Sequence, residues 1–100
     1  MKRAAHTDAN HSEIVAHLKA IGCSVLSLAA VGKGCPDLLV GRRAVNVLIE
    51  VKNPKQDPCK RKLNDGQVDF HRRWAGQVAV AHTPAEAEEI MNVAEKWSVG

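Results

Sequence analysis

Pro36-Asp37-Leu38-Leu39-Val40-Gly41-Arg42-Arg43-Ala44-Val45-Asn46-Val47-Leu48-Ile49-Glu50-Val51-Lys52 decides how this chain is read. Two apolar runs flank Gly41-Arg42-Arg43, the pattern of two strands joined by a turn. Side chains on a strand alternate faces. On the returning strand, Ala44 to Lys52, residues Val45, Val47, Ile49 and Val51 therefore share one face, and Asn46, Leu48, Glu50 and Lys52 the other. The first face is apolar throughout; the second turns polar toward its end. A turn near Arg43 sets Asp37 roughly opposite Leu48–Glu50, where opposed Cβ atoms lie about 5 Å apart and diagonal ones about 7 Å. The turn register decides whether the two carboxylates meet.

Outward from this hairpin, residues 1–9 are polar and read as a frayed end, leaving 10–100 as one domain. Asn10 followed by Glu13 resembles a capping box, and Ile14, Val15, Leu18 and Ile21 recur at helical spacing, which predicts a helix near 11–21. Cys23 to Ala30 reads as a strand, and Val31 to Pro36 as a loop broken by Gly32, Gly34 and Pro36. Asn64 with Gln67 forms a second capping box, opening a helix that runs to about Ala75 before Gly76. Gln77 to His82 reads as a strand. Thr83-Pro84-Ala85-Glu86 starts a last helix whose apolar face is Ala87, Ile90, Met91, Ala94 and Trp97. The order αβββαβα implies a mixed α/β fold around one small sheet.

Composition bounds the reading further. A chain of 100 residues has a modest core that association with a second copy would extend. No apolar run approaches the ~20 residues that span a bilayer. The net charge of +3 hides a basic middle: Lys33, Arg42, Arg43, Lys52, Lys55, Lys60, Arg61, Lys62, Arg72 and Arg73. Such a stretch suits a polyanionic partner, and Lys33, Lys55, Lys60, Arg61 and Lys62 are the candidate nucleic-acid contacts. Cys23, Cys35 and Cys59 form no C-x-x-C pair, which argues for a reducing compartment. The five histidines show no zinc-ligand spacing and read as structural or surface residues.

Asp37, Glu50 and Lys52 carry the chemistry. Two carboxylates side by side repel one another, and a hard divalent cation with oxygen ligands relieves that repulsion. The backbone carbonyl of Val51 lies beside them as a third, neutral ligand. Lys52 is placed to orient an attacking water or to stabilise negative charge developing on a phosphate. The trio thus points to metal-dependent phosphodiester hydrolysis.

Gly34-Cys35-Pro36-Asp37-Leu38-Leu39-Val40, then Ile49-Glu50-Val51-Lys52, then Leu63-Asn64-Asp65-Gly66-Gln67 resembles the virus-type replication-repair nuclease (VRR-NUC) domain of the PD-(D/E)XK superfamily. The similarity spans most of the chain, from the Glu13 helix to the final helix. It implies a restriction-endonuclease-like α/β fold and Mg2+- or Mn2+-dependent DNA cleavage. Asp37 and Glu50 match the metal carboxylates, Lys52 the catalytic lysine, and Gln67 the helix glutamine that supports the site. Glu13 matches an acid on the first helix of many members, with capping of its own helix as the rival role. Gly66 is a departure within a first helical turn, for which close approach of DNA is one explanation.

The resemblance is to stand-alone, phage-like members, similar to Holliday-junction resolvases. That implies a homodimeric endonuclease selective for branched DNA, in the cytoplasm of a bacterium or phage-infected host. A flap-directed or less selective nuclease is the alternative within the same chemistry. A non-catalytic nucleic-acid-binding module using the basic middle is the alternative outside it. Trp74 and Trp97 are expected in the core or at a subunit contact.

Overall fold

The hairpin turns near Arg43, as expected. In the computed structural model, which describes residues 9–55 and 62–97, β2 (Leu38–Arg42) and β3 (Val45–Val51) pair antiparallel across Arg43 and Ala44. These two have φ of 53° and 67°, the left-handed conformation that a tight two-residue hairpin turn requires. Gly41 stays in the strand opposite Asn46. A Cβ there would stand 2.8 Å from the Asn46 Oδ1, so the glycine serves close strand packing rather than the turn. Left-handed backbone costs about 1–2 kcal/mol per non-glycine residue. The ladder from Leu38↔Ile49 to Arg42↔Val45 offsets it.

The remaining elements are α1 (Ala9–Ala20), β1 (Ser24–Ser27), α2 (Asp65–Arg73), β4 (Val78–Ala81) and α3 (Pro84–Trp97). The sheet order is β1-β2-β3-β4, antiparallel except for β3 and β4, which run parallel. A parallel neighbour needs a crossover, and α2 lies on it. The expected αβββαβα order and mixed sheet are therefore the observed ones.

The strand alternation sorts the layers. Val45, Val47 and Ile49 join Ile14 and Leu18 of α1 and Ala87, Met91 and Ala94 of α3 in the core. Each of the largest buried side chains contributes about 1.5–3 kcal/mol of burial. Two interhelical or helix–hairpin ties close this layer. His17 Nε2 lies 2.7 Å from Glu88 Oε1, and Glu95 receives both Arg42 and Arg43. Two residues of the basic middle are thus committed to the acidic last helix, away from any polyanion.

Four expectations need correction. Asn10 lies inside α1, and its side-chain amide donates to the Lys52 carbonyl at 3.0 Å. Glu13 is then on the second turn, past the capping position. The second helix ends at Arg73, where Trp74 turns extended (φ −75°, ψ 120°), so Gly76 does not close it. Of the two places expected for the tryptophans, core or subunit contact, the core is not the one: Trp97 is 80% exposed, and Trp74 is 47% exposed, stacked on Phe70. The reason for Trp97 is length. The 14 residues of α3 span ~21 Å, whereas the 4 residues of β4 span ~13 Å.

None of the 9 residues of α2 is buried. What holds it is a backbone-to-backbone contact. Gly32, Lys33 and Gly34 all have positive φ, and the loop they form presses Gly34 on the first turn of α2. A Cβ on Gly34 would stand 2.4 Å from the Gly66 carbonyl oxygen. Gly66 itself is approached by this loop, and its own added Cβ would meet nothing closer than 3.5 Å. Gly34→Ala is therefore expected to lower the melting temperature and detach α2, whereas Gly66→Ala is expected to stabilise the helix by up to ~1 kcal/mol. Thermal melts of both variants check this; a harmless Gly34→Ala contradicts it.

Candidate active site

Asp37 is positioned before its side chain is considered. Pro36 behind it is fully buried, and the Asp37 carbonyl accepts a hydrogen bond from the Leu28 N–H at 2.8 Å. The Leu38↔Ile49 pairing then sets Asp37 level with Glu50. Asp37 Oδ2 accepts the Val51 N–H at 2.7 Å. In an extended residue the N–H and C=O leave the same edge, so the Val51 carbonyl also faces this side.

Glu50 is the single buried charged side chain among the described residues, 3% exposed. Its Oε2 accepts from Gln67 Nε2 at 3.0 Å; its Oε1 is buried with no hydrogen-bond partner. Lys52 Nζ lies 3.9 Å from Glu50 Oε2 and donates to Gln67 Oε1 at 2.9 Å. Gln67 Oε1 also accepts the Asn64 N–H, and Asn64 Oδ1 accepts the Gln67 N–H, each at 2.9 Å. The capping box and the site contact coexist in one side chain. Gln67 spans Glu50 and Lys52 because the cap holds its backbone one turn above them.

Burial is the first cause that pushes the Glu50 carboxyl up to about 8. The neighbouring Asp37 carboxylate raises it further, by its charge and by hydrogen bonding, and Lys52 opposes both. A buried carboxylate oxygen without a partner is normally costly. Here it faces a second carboxylate and a backbone carbonyl, a set of hard oxygen donors that fits Mg2+ or Mn2+. Such an ion would be held by Asp37, Glu50 and the Val51 carbonyl. Among the described residues no group of three or more histidines, cysteines and acids gathers here.

The other expected residues fall as follows. Glu13 is exposed on α1 and does not join the two acids in such a cluster. Lys33, Lys55 and Lys62 are exposed. Lys60 and Arg61 lie outside the described residues. Two groups given no site role by sequence stand close to it. Cys35 is near enough that burial, Glu50 and Asp37 all raise its thiol pKa. His71 has a buried Nε2 without a partner, and burial followed by Lys52 lowers its pKa. Its spacing of four from Gln67, one helical turn, was the available signal.

No family model and no curated protein sequence matches the chain. Among solved structures, one described as a VRR_NUC domain superposes with a TM-score of 0.57 at 25% sequence identity, covering 81% of this chain and 88% of that one. With the mixed four-stranded sheet and its flanking helices, this establishes that the chain has the VRR-NUC fold.

Proposed function

We propose that the protein is a divalent-metal-dependent DNA endonuclease selective for branched structures, acting as a Holliday-junction resolvase-like homodimer in the cytoplasm. One observation carries the reading: Glu50 is kept buried against Asp37, with no donor offered to its Oε1 by the rest of the described residues. A fold stabilised only by packing gains nothing from two repelling acids in its interior. A site that binds a cation does.

A bound divalent cation supplies Lewis acidity at the scissile phosphate and lowers the pKa of an attacking water. Asp37 and Glu50 hold their carboxylates toward that position, and the Val51 N–H fixes the Asp37 orientation. Gln67 orients Lys52 and Glu50 together. Lys52 keeps an ammonium beside the place where charge develops on the phosphoryl oxygens. The exposed Lys33, Lys55 and Lys62, with Lys60 and Arg61, would track the DNA backbone.

The dimer reading rests on α3. Trp97, 80% exposed, and Val93, 42% exposed, flank an apolar groove of about 390 Å³ that Val47, Val78 and Ile90 also line. Exposed apolar surface of this kind on a small core suits a second copy. Trp97→Ser is expected to run as a monomer in light scattering where the wild type runs as a dimer; wild-type monomer at all concentrations contradicts it.

The direct test is cleavage of a labelled four-way junction compared with flap, linear duplex and single-stranded DNA, with Mg2+ titrated against a chelator. Wild type is expected to nick the junction only with metal, and Asp37→Ala to lose at least about a hundred-fold. Full activity of Asp37→Ala, or no cleavage of any DNA by wild type, defeats the reading. A metal-free stability profile tests the site independently. The Glu50 pKa is raised from 4.5 to about 8, so between these values the folded state holds a proton that the unfolded chain releases. Stability is then full below the unfolded value and falls as pH rises toward 8, by up to about 1.4 kcal/mol per pH unit. Glu50→Gln should flatten this slope and melt higher than wild type at pH 8. A wild-type profile already flat from pH 5 to 8 excludes the raised carboxyl.

A further inference from the structure

We propose that His71 is a positioning residue for Lys52: its buried, unpartnered Nε2 is the acceptor to which the lysine ammonium turns when Glu50 is drawn onto a cation. This rests on the endonuclease reading above and extends it to a residue outside the acid–lysine trio.

The geometry is that of one helix face. Gln67 and His71 are a turn apart on α2, and Gln67 Oε1 already holds Lys52 Nζ at 2.9 Å. An ammonium has three donors. In this structure Gln67 takes one, and Glu50 Oε2, at 3.9 Å, gives only a loose ion pair. A cation held at the free Glu50 Oε1 would draw off the carboxylate charge that now attracts Lys52 to Oε2, loosening that pair and leaving the ammonium room for a further acceptor. His71 Nε2, one helical turn from Gln67, is buried with no hydrogen-bond partner among the described residues.

The protonation state fits. Burial and the nearby Lys52 both hold the imidazole neutral, so Nε2 is free to accept when the ring proton sits on Nδ1. Lys52, just past the end of β3, adds to burial in lowering the pKa of the ring. A protonated His71 would set two cations side by side and push the ammonium off the site. Groups that orient a metal-site residue from behind typically change activity ten- to a hundred-fold when removed.

Two measurements on the full chain test this. By NMR without metal, the His71 ring is expected to titrate at higher pH in Lys52→Ala than in wild type, because the opposing charge is gone; this readout does not depend on cleavage. In junction cleavage with Mg2+, His71→Phe, which keeps the ring shape, is expected to lower kcat ten-fold or more with KM for DNA unchanged. His71→Gln, which restores an acceptor, is expected to recover most of that loss. An unchanged His71 titration in Lys52→Ala overturns the proposal, as does wild-type kcat in His71→Phe. If the wild type cleaves nothing while the NMR coupling is present, the endonuclease reading fails and the His71–Lys52 contact stands.

Discussion

A carboxylate held in the interior against another carboxylate is the constraint on which the structure turns. Glu50 stands on β3, the longest of the four strands, 3% exposed and level with Asp37. Its burial forces every neighbour to choose a role. Gln67 donates to one oxygen and Lys52 leans toward the same oxygen. The Val51 N–H takes up Asp37. What remains is one buried oxygen to which the rest of the described residues offer no donor, the feature on which the proposed cation site rests.

The fold exists to hold that arrangement with few residues. One face of β3 anchors the hairpin in the core through Val45, Val47 and Ile49. The other face is left for chemistry at its last turn of alternation. α2 adds almost no apolar burial and is instead fixed by the Gly34–Gly66 approach and by the polar bonds of Gln67. Such a helix depends on the site as much as the site depends on it. Asn10 ties α1 to the same place by donating its side-chain amide to the Lys52 carbonyl, so three elements converge within two residues of Val51.

Much of this was legible in the chain. Strict alternation from Val45 to Val51 forces Glu50 and Lys52 onto one face, and the hairpin brings Asp37 across without any long-range coincidence. The Asn64–Gln67 cap was readable because its partners are three residues apart. The turn near Arg43 was readable too, but not the role of Gly41, which packs on Asn46 while Arg43 and Ala44 take the positive φ. Trp97 follows the helical period correctly but outruns the strand beneath it. Asn10 sits among capping signals, yet its side chain is used 42 residues away. His71 was signalled only by its spacing of one turn from Gln67, since its burial and the nearness of Lys52 are set by the fold.

Metal binding measured by calorimetry near pH 7, in buffers of different ionisation enthalpy, probes the buried carboxyl pair most directly. With the Glu50 carboxyl pushed up to about 8, taking up Mg2+ or Mn2+ should release close to one proton per ion, and Glu50→Gln should abolish that release. Binding with no proton released, or the same release from Glu50→Gln, would mean that Asp37 and Glu50 do not share a cation.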